Sequence, residues 1–126
     1  MHQLNAYLQY LAQSQMTQWH QTVFAGSPIC EKLLGVIAIA NGKGAPYTVS
    51  EVMSLHNLGS PGTIHRRLES LRRGGLIEQI QKNEDRRTKY LVPTEMANRF
   101  FTNMDYVMEQ AVLDSSVKSR LIHSKI

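Results

Sequence analysis

The chain has 126 residues, of which 42% are hydrophobic and 19% are charged, as is typical of one ordinary globular domain. Its longest apolar stretch, residues 33–40, is far shorter than the ~20 residues that a membrane-spanning helix needs. The N-terminus lacks the basic start and apolar middle of a secretory signal, so we expect a cytoplasmic protein without membrane contact. The single cysteine, Cys30, cannot form an intramolecular disulfide, and its spacing to Leu34 favours a small buried side chain over a redox sensor.

The formal net charge of +4 is concentrated in one part of the chain. Residues 66–89 contain eight cations and four anions, whereas the rest of the chain contains six of each. A basic segment in an otherwise neutral chain is suited to a polyanion, because each phosphate that it neutralises releases condensed counterions. The alternative is a basic face that is merely solvated.

The N-terminal part of the sequence predicts two helices. In residues 1–25 apolar side chains recur mostly every three or four positions, which indicates one amphipathic helix; they are Leu4, Tyr7, Leu8, Leu11, Met16, Trp19 and Val23. Ser27 can cap the next helix and Pro28 suits its first position, and this helix should run to about Ala40. Residues 41–46 predict a loop.

Two short helices are predicted next. Residues 48–51 have the form of a capping box, and this helix should end near His56. After a turn at residues 57–59, Ser60 and Pro61 start a helix that ends at residues 74–75, a pair of glycines. One side of this helix carries Ile64, Leu68 and Leu71, and the other side is polar.

A hairpin and a long helix complete the prediction. Residues 76–81 and 89–92 favour antiparallel strands, joined by a charged turn at residues 82–88. A last helix should begin near Thr94, and residues 114–116 can bend or break it. Its apolar stripe consists of Met96, Phe100, Met104, Val107, Met108, Ala111 and Val112.

The order of these elements predicts a mainly α fold with a small β-hairpin wing, the winged helix-turn-helix. We expect a single domain over residues 1–126, with a DNA-binding core at 28–93 and dimerisation helices at 1–25 and 94–126. The surplus apolar surface of the terminal helices favours a homodimer. In such a fold the second helix of the core enters the major groove of double-stranded DNA, and the wing reaches the flanking backbone or minor groove.

The predicted contact residues fall on two elements. Arg66 is suited to guanine, while Arg67, Arg72 and Arg73 can instead meet phosphates. The recognition-helix candidates are Ser60, Gly62, Thr63, His65, Arg66, Arg67, Ser70 and Arg73. The wing candidates are Lys82, Arg86, Arg87 and Lys89, with Asp85 in a structural role. The alternative for Arg66 is pairing with Glu69 or Ser70, and the alternative for Arg87 is pairing with Asp85.

Two local patterns resemble the MarR (multiple antibiotic resistance regulator) family of bacterial transcription factors. Residues 63–77 are similar to that family's recognition helix and its Gly-Leu-Ile exit, and Asp85-Arg86-Arg87 followed by Pro93-Thr94 is similar to its wing signature. The resemblance implies that Arg87 enters the minor groove, that Asp85 is its structural partner, and that Thr63, His65 and Arg66 face bases. It also implies a homodimer with interleaved terminal helices. Pro93 stands where that family has leucine.

No catalytic constellation, metal-ligand spacing or cofactor motif is recognisable, so we expect no enzyme, metal or cofactor. Met96, Met104, Met108, Phe100 and Phe101 could line a pocket for a small-molecule effector, but their spacing is more typical of a core or dimer interface. The sequence therefore predicts a nucleoid-associated transcriptional regulator, in the simplest form a repressor that occupies a pseudo-palindromic operator. The alternatives are a winged-helix module that docks an acidic protein and a plasmid or phage replication or partition protein.

Overall fold

The computed structural model describes residues 4–20, 24, 27–82 and 85–124 of the chain. The protein is mainly helical and has one two-stranded antiparallel sheet. The elements are α1 (Ala6–Gln15), α2 (Pro28–Gly42), α3 (Val49–Met53), a 3₁₀ turn (His56–Leu58), α4 (Pro61–Arg73), β1 (Ile77–Ile80), β2 (Tyr90–Pro93) and α5 (Glu95–Ser124). No helix within these described ranges is both long and apolar enough to cross a membrane.

The chain falls into two compact units. One unit comprises residues 26–99, and the other comprises residues 1–25 together with residues 100–126. In the unit of residues 26–99, α2 packs against β2 and α4, and α3 packs against α4. Its core consists of fully or nearly fully buried aliphatic side chains from every element, among them Leu33, Leu34, Ile37, Val52, Ile64, Leu71, Leu76, Ile77 and Leu91.

Polar side chains cap two of the three helices for which the sequence predicted a cap. The predicted capping box of α3 is confirmed, since Thr48 Oγ1 accepts from the Glu51 amide at 3.2 Å and Glu51 Oε1 accepts from the Thr48 amide at 3.0 Å. The predicted cap of α4 is also confirmed, because Ser60 Oγ accepts from the Thr63 amide. The cap predicted at Ser27 is wrong. The backbone of Ser27 has φ −111° and ψ 89°, which does not aim its hydroxyl at the first turn of α2.

The sheet pairs β1 with β2 in the register Ile77–Pro93, Glu78–Val92, Gln79–Leu91 and Ile80–Tyr90. The predicted antiparallel hairpin is therefore confirmed; β1 is one residue shorter at each end than predicted, and β2 is shifted by one residue. Pro93 is the last residue of β2, a position that needs no ladder amide. The segment before α3 joins the same sheet, since the Leu91 amide donates to the Tyr47 carbonyl at 2.8 Å and Thr48 forms a bridge with Tyr90.

The turn after α4 is a Schellman motif. The Leu76 amide donates to the Leu71 carbonyl at 2.9 Å, and the Gly75 amide donates to the Arg72 carbonyl at 3.0 Å. Gly75 has φ +75°, a left-handed conformation that glycine adopts without strain. The predicted end of this helix at the glycine pair is confirmed, and the turn leads directly into β1.

Several predicted boundaries differ in the structure. The single helix predicted over residues 1–25 is wrong, because α1 ends at Gln15 and the amides of Met16 and Thr17 bond three residues back instead of four. A new helical stretch begins after Thr17, whose hydroxyl accepts from the His20 amide at 3.4 Å. The helix expected to end near His56 ends at Met53, and the 3₁₀ turn begins at His56. α5 runs without interruption through residues 114–116.

The unit of residues 1–25 and 100–126 contains an aromatic cluster around Phe100. The ring of Phe24 meets the ring of Phe100 edge-on at a centroid distance of 4.9 Å, and Trp19 and Phe101 each lie 5.5 Å from it. Such tilted geometries favour contact of a ring edge with a ring face. Met104 and Ala111 continue the buried side of α5 in this unit, as the predicted stripe required.

Two apolar positions on α2 should differ strongly in how much their side chains contribute to the free energy of unfolding. Leu34 has no exposed surface, whereas Ile39 is 59% exposed. Leu34→Ala should lower the free energy of unfolding by about 2–5 kcal/mol, because it removes buried methyl groups and leaves a cavity. Ile39→Ala, the matched control, should change it by no more than about 0.5 kcal/mol. Urea denaturation followed by circular dichroism measures both, and equal losses would contradict the assigned core.

Candidate nucleic-acid interface

Helix α4 divides into a buried apolar side and an exposed polar side. Ile64, Leu68 and Leu71 are buried, which anchors the helix to the core of residues 26–99. The opposite side exposes most of the predicted recognition residues to solvent, namely Ser60, Gly62, His65, Arg66, Ser70 and Arg73, while Thr63 is half-buried. The fold therefore presents these side chains on one face of a helix of 13 residues.

A short chain of hydrogen bonds organises the first turn of α4. The Ser60 hydroxyl donates to Thr63 Oγ1 at 3.0 Å, and the guanidinium of Arg66 donates to the same oxygen at 3.4 Å. Further along, the Ser70 hydroxyl donates to the Arg66 carbonyl at 3.1 Å. The guanidinium of Arg66 thus contacts neither Glu69 nor Ser70, the two partners considered from the sequence, but lies beside Thr63.

The remaining arginines of α4 differ in their surroundings. Arg72, which the sequence offered as a phosphate contact, forms an exposed ion pair with Glu69 at 3.6 Å. Arg67 is half-buried, and its Nε lies out of contact with solvent and has no hydrogen-bond partner among the described residues. Of the arginines predicted on this helix, Arg66 and Arg73 are exposed, Arg72 is exposed but paired with Glu69, and Arg67 offers at most part of its guanidinium to a ligand.

The loop of the hairpin is organised by one carboxylate. Asp85 Oδ1 accepts from the Arg87 amide at 3.0 Å, and Asp85 Oδ2 accepts from the Thr88 hydroxyl at 2.8 Å. The hydrogen bond from the Thr88 hydroxyl, which has the larger effect, and the hydrogen bond from the Arg87 amide hold the pKa of the Asp85 carboxyl below its usual range. Asp85 therefore folds the backbone that carries Arg86 and Arg87, and it accepts from the backbone amide of Arg87.

Side chains of the strands support both ends of this loop. The Gln81 amide group donates to the Arg86 carbonyl at 3.2 Å, and Lys82 Nζ lies 5.5 Å from the centroid of the Tyr90 ring. Lys82 is half-buried, whereas Arg86, Arg87 and Lys89 are exposed. Three cations of the hairpin thus face solvent, and Lys82 is held against an aromatic ring.

A small groove separates α4 from the sheet. It has a volume of about 100 Å³ and is lined by side chains of α3, α4, β1 and β2, including His65, Glu69, Arg72 and Glu78. Charges of both signs line this groove, in contrast to the arginine-rich outer face of α4. The described residues contain no cluster of three or more histidine, cysteine or acidic side chains that could hold a metal ion. Cys30 is buried, as its spacing predicted.

Three contributors to this site were not found from the sequence. Gln81 was treated as a strand residue, although its side chain braces the loop. The pairing of Tyr47 and Thr48 with β2 links the start of α3 to the hairpin, but a helix cap and the residue before it give no strand signal. Thr94 donates its hydroxyl to the Gly75 carbonyl at 2.6 Å and its amide to the Leu76 carbonyl at 3.0 Å. Only the position of Thr94 at a predicted helix start could have indicated a capping role.

Comparison of the chain with protein-family profiles, with curated proteins and with solved structures finds no match.

The turn at Asp85 makes a prediction about proton binding. Because folding lowers the pKa of this carboxyl, the turn gains stability above the ordinary aspartate pKa of about 3.9 and loses it as the pH falls through the lower value of the folded loop. Thr88→Val removes the largest cause and should raise the pKa of Asp85 towards the ordinary value. A titration of the Asp85 carboxyl carbon by NMR measures this change. Thr102→Val on α5 is the control, and an unchanged Asp85 pKa in Thr88→Val would refute the assignment.

Proposed function

We propose that this protein is a sequence-specific double-stranded-DNA-binding regulator of transcription with a winged helix-turn-helix core. In this proposal α3, the 3₁₀ turn and α4 form the helix-turn-helix, and the hairpin of β1 and β2 is the wing. The observation that carries the proposal is a basic surface in two parts. Arg66 and Arg73 are exposed on α4, and Arg86, Arg87 and Lys89 are exposed on the hairpin.

The exposed side of α4 has the chemistry that base recognition requires. The major groove admits one α-helix and presents acceptors such as guanine O6 and N7 to a bidentate arginine. Arg66 supplies the guanidinium, and Thr63 holds it from one turn earlier. No described carboxylate lies within 4.0 Å of the Arg66 guanidinium, whereas Arg72 is engaged by Glu69. Arg66 is therefore assigned to a base, and Arg73 and the exposed part of Arg67 are assigned to phosphates.

The hairpin loop has the chemistry of backbone and minor-groove contact. Asp85 accepts hydrogen bonds from the Arg87 amide and the Thr88 hydroxyl, and these bonds fix the conformation of the loop. The turn therefore sets the directions of the Arg86 and Arg87 side chains. Arginine inserted into a narrow minor groove is favoured by the enhanced negative potential there. These contacts position the protein and supply the salt-dependent part of the affinity.

The proposal includes a homodimer that reads a pseudo-palindromic site, as the resemblance to the MarR family implies. Exposed apolar side chains on α1 and α5 support a second copy as the partner. Two recognition helices would then contact half-sites about one turn of DNA apart, ~34 Å. Occupation of such an operator would block polymerase, which makes repression the simplest outcome.

Selection from a random duplex library, followed by affinity measurements at several salt concentrations, tests the proposal. A two-fold symmetric motif with a steep salt dependence is the expected result. Weak binding that ignores sequence and vanishes near physiological salt would overturn it and would favour an acidic protein partner for the same arginines.

Two substitutions separate the roles of α4 and the hairpin. Arg66→Ala should weaken binding to the selected site by about 1–3 kcal/mol and relax the base preference at one position, because it removes a base contact. Arg87→Ala should weaken binding to all sequences and reduce the salt slope by about one, because it removes a phosphate-proximal charge. Fluorescence anisotropy with specific and scrambled duplexes measures both effects.

The matched control for these substitutions is Arg99→Ala. Arg99 is also an exposed arginine, but it pairs with Glu95 on α5 and lies outside the proposed interface. Its removal should leave affinity and salt slope close to those of the wild-type protein. Equal affinities of Arg66→Ala, Arg87→Ala and wild type for the selected operator would refute the residue assignments.

A further inference from the structure

The groove between α4 and the sheet has an apolar bottom and a polar rim. The apolar residues that line it are buried or half-buried, namely Val49, Leu68, Ile77 and Leu91. The polar residues that line it are exposed, apart from the half-buried Glu69, and they are His65, Glu69, Arg72, Glu78 and Gln79. A concave apolar surface with a few polar groups around it is the usual form of a small-molecule site.

The size of the groove limits what can occupy its apolar bottom. The volume of the groove is about 100 Å³. Since one water molecule takes up about 30 Å³ of the liquid, this space admits a group of about three or four carbon atoms. A branched aliphatic group such as isobutyl has this size, and a fused ring system is too large. Burial of such a group against aliphatic side chains is favourable because it removes apolar surface from water.

The rim of the groove offers one guanidinium and one carboxylate to a ligand. Arg72 contacts Glu69 through Nη1 alone, at 3.6 Å, so the other N–H donors of its guanidinium stay available. An exposed ion pair of this kind contributes little stability, and a second carboxylate can therefore share or displace it. Within the part of the chain that the structure describes, Glu78 forms no ion pair. Both charges lie beside the same small apolar space.

The two signs of charge discriminate between classes of ligand. A small anion would pair with Arg72 but would bring its negative charge close to Glu69 and Glu78. A small organic cation would pair with Glu78 but would approach the guanidinium of Arg72. Like charges at short distance are unfavourable, and a charge without a partner gains nothing from leaving water. A ligand that carries both charges on one end and a short aliphatic group on the other satisfies the whole groove.

We infer that this groove binds a free α-amino acid with an aliphatic side chain. Arg72 binds the carboxylate of the ligand, and Glu78 binds its ammonium group. The aliphatic side chain of the ligand lies against Leu68, Ile77 and Leu91. The site lies wholly within residues 26–99, and its ligand goes beyond the proposed function because binding of an amino acid requires neither DNA nor a second copy of the chain.

Four small molecules separate the three parts of the ligand. Free L-leucine has both charges and an isobutyl group, isocaproate lacks the ammonium group, isoamylamine lacks the carboxylate, and glycine lacks the isobutyl group. Leucine should bind the full chain without DNA with a dissociation constant of about 1 mM or lower, and about tenfold more tightly than each of the others, because each of them loses one contact. Methyl NMR spectra measure binding at Leu68 and Leu91. The methyl signals of Leu34 in the core and of Ile39 on the exposed side of α2 are the internal controls.

Two substitutions on the rim assign the two charges of the ligand. Glu78→Gln should reduce the affinity for leucine to that for isocaproate, without weakening the binding of isocaproate. Arg72→Gln should reduce the affinity for leucine to that for isoamylamine, without weakening the binding of isoamylamine. Both side chains are exposed, so the fold should survive, and an unchanged Leu34 methyl signal verifies this. Glu95→Gln, on an exposed glutamate of α5 outside the groove, is the matched control and should bind leucine like wild type.

Three outcomes would overturn the inference. Methyl signals of Leu68 and Leu91 that do not shift with leucine would remove the site. Equal affinities for leucine and for isocaproate or isoamylamine would show that one of the two charges is not recognised. Glycine that binds as tightly as leucine would place the ligand outside the apolar bottom of the groove. Because DNA is absent from every titration, a failure here leaves the proposed function standing, and a chain that binds leucine but no DNA refutes the proposed function alone.

Discussion

The turn at Gly75 is the constraint on which the candidate interface depends. Its left-handed backbone ends α4, and the two Schellman hydrogen bonds fix the direction in which β1 leaves. Thr94 then closes the base of the hairpin on the same turn through the carbonyls of Gly75 and Leu76, and its hydroxyl oxygen accepts from the Ala97 amide at the start of α5. One turn thus sets the position of the hairpin relative to α4. A residue with a Cβ at position 75 would strain all of these contacts together.

Much of the fold of residues 26–99 could be predicted from local signals because those signals act locally. Capping at Thr48 and Ser60, the glycine pair after α4 and the two β-prone runs of the hairpin each determine a few neighbouring residues. The strand-like pairing of Tyr47 and Thr48 could not be predicted in this way, since it depends on β2 more than 40 residues later. At Ser27, in contrast, a local signal predicted a helix cap that the structure does not contain. A favourable residue type before Pro28 does not guarantee the extended backbone that a cap requires.

The candidate site, like the fold, could be predicted where a local pattern decides it and could not be predicted where individual contacts decide it. Periodicity correctly separated the buried and exposed sides of α4, so the exposure of Arg66 and Arg73 could be predicted. Periodicity could not rank the arginines, because their differences come from individual contacts. Glu69 engages Arg72, the packing around Arg67 removes its Nε from solvent, and Thr63 orients Arg66. Similarly, the sequence indicated that Asp85 and Arg87 interact, but only the structure shows that the backbone amide is the donor.

Helix α1 shows why an amphipathic pattern is incomplete information. The spacing of Leu4, Tyr7 and Leu8 correctly predicts a helix with one apolar side, but it does not specify which part of the same chain or of a partner covers that side. In a single chain, Gln9 and Ser14 are covered instead, and an apolar surface without charge is left in water. Leaving such side chains exposed forfeits the free energy of apolar burial, about 25 cal/mol for each Å². In the homodimer proposed above, a second copy that covered this side of α1 would recover that free energy.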